Sequence, residues 1–220
     1  MSVKQSQYGS GLDKTPANYV PLTPLSFLAR SAAVYPGHIS TVYEGRVFTW
    51  AETYARSRRF ASFLASQNIG YGDTVAAMLP NIPAMNEVHF AVPMAGAVLN
   101  ALNIRLDVPS IAFQLDHGGA RIILVDPEFA GVISEALKLM TGPKPLVIDV
   151  DDANFAGGKR IGELEYEDAL SRGAPQTDRR ASSCSTRGEA FRSGERPCRP
   201  GSARPGRGWL PRCRQVAQLR

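Results

Sequence analysis

Few side chains in this chain have the type and spacing that chemistry requires. Thr141-Gly-Pro-Lys-Pro145 places a lysine behind a glycine, as the end of a phosphate loop would. It lacks an upstream Ser/Thr/Gly run and a following glycine, so too few backbone N–H groups can converge on a phosphate. Its turn-forming residues read as a loop between helix and strand. Gly70-Tyr-Gly72 precedes a strand, whereas a dinucleotide fingerprint follows one and opens a helix, so it reads as a turn. His89 lies between Val88 and Phe90 in a helical run and is expected to pack near the interior without an assigned role. His117, ahead of Gly118 at a helix end, suits the helix dipole. Asn103 and Arg105 follow a strand and are expected to brace loops by hydrogen bonds rather than touch a ligand. Asp149, Asp151 and Asp152 read as a solvated acidic loop, not a metal site. None of these positions is assigned a catalytic, cofactor-binding or metal-ligating role.

The bulk properties divide the chain in two. Of 220 residues, 44% are hydrophobic, enough for a core. Residues 1–178 carry 14 Lys+Arg and 18 Asp+Glu, a net of −4. Residues 179–220 carry 11 Arg and 2 Glu, a net of +9, so the basic character belongs to the tail. All three cysteines, Cys184, Cys198 and Cys213, also lie there, at spacings unlike a zinc site. The first residues are polar, with no apolar stretch of a secretory signal, and no run reaches the roughly 18 apolar residues of a membrane span. A cytoplasmic protein with no membrane partner is expected.

The elements that must position any site follow from caps and periodicity. Thr23-Pro24 opens a helix that Pro36-Gly37 stops. Ser40–Tyr43 and Arg46–Phe48 flank a Glu44-Gly45 turn as a hairpin. Thr49 and Glu52 form a capping box for a helix with Trp50, Tyr54, Ala61 and Leu64 on its apolar face, ending near Asn68. Strands are expected at Thr74–Leu79, Gly96–Leu102, Arg121–Val125 and Pro145–Val150. Helices are expected from Asn81 as cap, from Asp107 as cap and from Asp126-Pro127, with a further one around Gly162–Leu170. Alternation of strand and helix with short links argues for an α/β fold with a mainly parallel sheet.

Four ordered stretches carry a family resemblance. They are Phe48-Thr-Trp-Ala-Glu-Thr-Tyr54, Gly70-Tyr-Gly-Asp-Thr-Val-Ala-Ala-Met-Leu-Pro-Asn81, His89-Phe-Ala-Val-Pro-Met-Ala-Gly-Ala-Val-Leu-Asn100 with its continuation to Leu106, and Ile111–His117 with Ile122–Asp126. Together they resemble the opening part of the AMP-forming acyl-CoA synthetases, the adenylate-forming, AMP-dependent synthetase and ligase family. The stretch Asn100–Leu106 most resembles the fatty-acyl or methylthio-acid CoA ligases. The resemblance implies a partial N-terminal subdomain with a mainly parallel sheet flanked by helices. It also implies, for the complete family enzyme, activation of a carboxylic (fatty) acid with ATP and Mg through an acyl-adenylate, then transfer to CoA.

The resemblance further implies what is missing. The family's phosphate loop, rich in Ser, Thr and Gly and ending in Pro-Lys-Gly, is expected just beyond residue 178, and residues 178–220 contain no lysine at all. The expected organisation is a flexible extension over residues 1–19, the N-terminal portion of the AMP-binding domain over 20–177, and an Arg-rich disordered tail over 178–220. That tail has the composition of GC-rich coding sequence read out of frame; a natural short form with an evolved tail is the rival account. No cofactor and no specific nucleic acid are expected for the chain itself. Two roles stay open for it: an inactive fragment of a ligase, or a non-catalytic module pairing with a complete homologue.

Overall fold

The computed structural model describes residues 15, 19–20, 22–152, 154–155 and 157–174. The expected tail over 178–220, and nearly all of the expected extension over 1–19, lie outside the described residues.

Local chemistry sets the first elements. Helix α1 (Pro24–Val34) starts with a reciprocal box in which Thr23 Oγ1 accepts from the Ser26 N–H and Ser26 Oγ from the Thr23 N–H. Strands β1 (Ile39–Tyr43) and β2 (Arg46–Thr49) form an isolated antiparallel hairpin. Its turn holds Glu44 and Gly45 at φ 45° and 78°, and the glycine takes that left-handed conformation without steric cost. Helix α2 (Trp50–Ser66) has the expected Thr49–Glu52 box, with the Thr49 N–H donating to Glu52 at 2.8 Å. The expected apolar face is displaced, however. Thr53, Ser57, Phe60, Ala61, Phe63 and Leu64 are buried, and Trp50 and Tyr54 only partly so. Ser57 is tolerated in the core because its hydroxyl donates to the Thr53 carbonyl at 2.8 Å.

The remaining elements are β3 (Thr74–Met78), α3 (Pro83–Met94), β4 (Val98–Ala101), α4 (Val108–Gly118), β5 (Ala120–Val125), α5 (Ala130–Leu139), β6 (Leu146–Asp149), β7 (Leu164–Glu165) and α6 (Tyr166–Arg172). Three details correct the sequence reading. Ile82 rather than Asn81 is the N-cap of α3, and it caps with no side-chain bond. Asp126 caps a single 3₁₀ turn, Pro127–Phe129, before α5 begins. The segment 162–170 divides into a two-residue strand and a helix, because the Glu165 carboxylate accepts from the N–H groups of Glu167 and Asp168 and starts the helix there.

The five strands β3 to β7 form one parallel sheet in the order β4-β3-β5-β6-β7. The chain steps from β3 to β4 in one direction, then back past β3 to β5. That reversal puts α3, before it, and α4 and α5, after it, on opposite faces. On one face Val75, Ala77, Ile122, Leu124 and Ile148 pack against Phe60, Phe63, Val88, Val92, Tyr166 and Leu170 of α2, α3 and α6. On the other, Ala76, Met78, Ile123 and Val125 pack against Ile111, Leu115, Ile133 and Ala136 of α4 and α5. Burial on both faces explains why Ile122–Val125 is uniformly apolar. Each fully buried aliphatic side chain there contributes about 1.5–3 kcal/mol. No helix among the described residues is long and apolar enough to cross a membrane.

Candidate functional site

Ligands of open parallel sheets sit outside the carboxyl ends of the strands, where the strand order reverses. A cavity of about 560 Å³ occupies that place here. Ile82, Pro83 and Ala84 after β3, Pro127 after β5, Val150 and Asp151 after β6, and Glu165 to Glu167 border it. The hairpin closes one side through Tyr43 and Arg46, and the loop after β6 closes another through Asp152, Phe155 and Arg160. The Tyr43 hydroxyl donates to Asp152 at 2.6 Å and so joins hairpin to loop; this bond to a carboxylate raises the phenol above its ordinary range.

The strongest polar feature is a clamp across three helices. Glu87 of α3 is 2% exposed. Arg56 Nε of α2 donates to it at 2.6 Å, and the Tyr166 hydroxyl of α6 at 2.8 Å. The other two Arg56 nitrogens donate to both oxygens of Glu167, at 2.9 and 2.6 Å. Burial pushes the Glu87 carboxyl above its usual range, against the pull of Arg56. Burial alone would lower Arg56, but its two carboxylate partners hold it well above the ordinary guanidinium value. Sequence reasoning singled out neither Arg56 nor Glu87. The available signal was the row Ala84, Glu87, Val88 and Ala91 at helical spacing, which puts a carboxylate on the buried stripe.

The singled-out residues fall as follows. His89 is exposed rather than interior; its Nδ1–H donates to the Met85 carbonyl at 2.7 Å, one turn back. The helix turns Val88 inward and leaves the next position outside. His117 lies in the last turn of α4, stacked on Phe113 at 5.3 Å. Asn103 accepts from the Arg105 N–H at 3.0 Å, a loop brace as expected. The acidic trio divides. Asp149 is buried, not solvated, and accepts from the Ile161 and Gly162 N–H groups at 3.2 and 2.8 Å. Asp151 pairs with Arg160, and Asp152 with Tyr43. Asp126 is also buried. One oxygen accepts from the Glu128 N–H at 2.9 Å, the other has no partner among the described residues, and burial raises the carboxyl. Among the described residues no three His, Cys, Asp or Glu side chains come together to hold a metal.

A nucleoside triphosphate needs free N–H donors and unpaired cations around its phosphates. At Thr141-Gly142 the two N–H groups and the Thr141 hydroxyl all turn to the Asp116 carboxylate, at 2.8 to 3.1 Å. These bonds, led by the Thr141 N–H, hold Asp116 below its ordinary range, so a phosphate would meet a fixed negative charge and spent donors. Of the three arginines that border the cavity, Arg56 and Arg160 are engaged by carboxylates and Arg46 lies over the Phe48 ring, while Asp151, Asp152, Glu165 and Glu167 line the same walls. The described residues do not fit a triphosphate.

The reversed strand order and the cavity at its switch point place the chain in the doubly wound α/β class. The family model for the AMP-binding enzyme matches residues 28–186, and the chain belongs to that family. A peroxisomal acetate/butyrate–CoA ligase of Arabidopsis thaliana is 48% identical over 175 residues, covering 74% of this chain and 31% of the relative. An acetate–CoA ligase of Humulus lupulus is 44% identical over 178 residues, covering 76% and 31%. A solved o-succinylbenzoate–CoA synthetase of Bacillus subtilis, in complex with its acyl-adenylate, superposes with a TM-score of 0.51 at 26% identity over 67% of this chain and 26% of that one. The chain thus spans about a third of the length of the curated relatives it matches.

Proposed function

We propose that the chain is the N-terminal portion of an ATP-dependent acid–CoA ligase, activating carboxylic acids as acyl-adenylates in the complete enzyme, and that it does not adenylate by itself. The observation that carries this reading is the failed fit. The one loop with a phosphate-like sequence spends its donors on Asp116, and residues 178–220 supply no Pro-Lys-Gly loop. Adenylation depends on fixed donors and cations around the phosphates, so the complete enzyme's use of ATP, Mg and CoA does not extend to this chain. Its relatives' names point to short-chain and aromatic acids as substrates of the complete enzyme, beside the fatty acids suggested by Asn100–Leu106. We place the chain in the cytoplasm, whose reducing conditions suit a body, residues 1–178, built without cysteine; imaging of a tagged chain that showed peroxisomes would overturn that placement.

Equilibrium dialysis against MgATP tests the functional reading. The expected result is no saturable binding at millimolar nucleotide, and stoichiometric binding would sink it. The tail over 178–220 reads as a change of frame. If no other frame of the coding sequence after codon 178 encodes a Ser/Thr/Gly-rich loop ending in Pro-Lys-Gly, that part fails.

A further inference from the structure

The two carboxylates on Arg56 are not equivalent. Glu87 holds it from the interior: Arg56 Nε donates to one Glu87 oxygen at 2.6 Å, and the Tyr166 hydroxyl donates to the other at 2.8 Å. Both oxygens of this buried side chain are engaged, and they fix the guanidinium in place. The Phe48 ring, centred 5.6 Å from the guanidinium carbon, supports it further. The remaining two nitrogens form a fork that meets both oxygens of Glu167, at 2.9 and 2.6 Å. The Glu167 side chain is 54% exposed, against 3% for Glu87. One partner is thus an anchor, and the other is free to swing into water. Arg56 and Glu167 both border the cavity of about 560 Å³, whose lining also includes Ile82, Pro83, Ala84 and Val150.

We propose that the Arg56 fork is a binding site for a small monocarboxylate, and that Glu167 is its internal, displaceable occupant. An incoming carboxylate makes the same two parallel bonds that Glu167 makes, and its apolar body lies against the aliphatic part of the lining. Charge sets the class of ligand. Four carboxylates, Asp151, Asp152, Glu165 and Glu167, line the cavity with three guanidiniums, those of Arg46, Arg56 and Arg160. With Glu167 turned out, one monoanion restores that balance. A polyphosphate overshoots it, and a neutral or cationic ligand leaves the fork unpaired. The site draws on no step of adenylation: it holds an acid and offers nothing to a nucleotide.

NMR titration of the full chain with benzoate tests this, followed at the Arg56 Nε–H and at the backbone N–H groups of residues 165–168. Glu167→Ala empties the fork and leaves the Glu87 anchor intact. Exposed ion pairs shift equilibria by up to about fivefold, so benzoate should bind Glu167→Ala about fivefold tighter than the wild-type chain. Benzamide, of the same shape without the charge, should move neither set of resonances. Glu167→Ala/Arg56→Lys keeps a cation for Glu87 but has no fork, and should lose benzoate binding. Thermal melts show that the variants fold. Equal affinity in wild type and Glu167→Ala, no binding to Glu167→Ala, binding retained in the double variant, or a response to benzamide equal to that to benzoate each overturns the proposal.

Discussion

Replacement of Arg56 by methionine should destabilise the fold out of proportion to its surface position. The guanidinium bridges α2 to Glu87 of α3 and Glu167 of α6. Its removal leaves the Glu87 carboxylate, whose side chain is 3% exposed, with only the Tyr166 hydroxyl at 2.8 Å. Breaking a buried pair costs about 3–5 kcal/mol. Arg56 is itself 21% exposed, and screening by the water it meets reduces that figure to about 2–3 kcal/mol. Glu87→Gln keeps the shape, leaves Arg56 its Glu167 pair and should cost about 1–2 kcal/mol. The double variant Arg56→Met/Glu87→Leu removes both charges and should cost less than the sum of Arg56→Met and Glu87→Leu by about 1–3 kcal/mol. The penalty of Arg56→Met should also shrink on acidification. Burial raises Glu87 above its ordinary 4.5, so the folded state takes up a proton more readily, and that contribution is lost as pH rises through the raised value. Urea unfolding followed by far-UV circular dichroism measures all four variants. A cost below about 1 kcal/mol for Arg56→Met, or an additive cycle, would refute the clamp.

Gly173→Ala should destabilise by about 1–3 kcal/mol in the same assay, because a Cβ there collides with the Arg59 backbone carbonyl of α2 and must push α6 away. Thr23→Ala should cost about 1 kcal/mol by opening the box at the start of α1, with little change in hydrogen exchange beyond that helix. Asp107 and Asp116 are held below their ordinary 3.8 by bonds to Ser110 and to the Thr141 N–H respectively, so their stabilisation is present above that value and lost as pH falls through the depressed one. Thermal midpoints should therefore drop below about pH 4, and Asp116→Asn should flatten that drop; an unchanged slope would contradict the assignment.

Features written in a few adjacent residues were legible. The Thr23 cap, the Thr49–Glu52 box, the Asp107 cap and the hairpin turn each depend on partners within four positions, and the structure has all of them. The parallel sheet was legible because Val75–Met78 and Ile122–Val125 are buried on both faces. Strand β7 was not, since two residues carry no periodicity. The Arg56 clamp was not, since its partners lie 31 and 111 positions away. His89 was misplaced because an apolar run in a helix does not say which of two adjacent positions turns inward. Asp149 was misplaced because its burial depends on backbone donors a dozen residues on.

The most direct test of the account is ATP–pyrophosphate exchange by the purified chain. It should be run with acetate, butyrate, benzoate and longer fatty acids beside a complete ligase of the family. The account predicts exchange by the complete ligase and none above background by this chain with any acid. Acid-dependent exchange by the chain alone would contradict it.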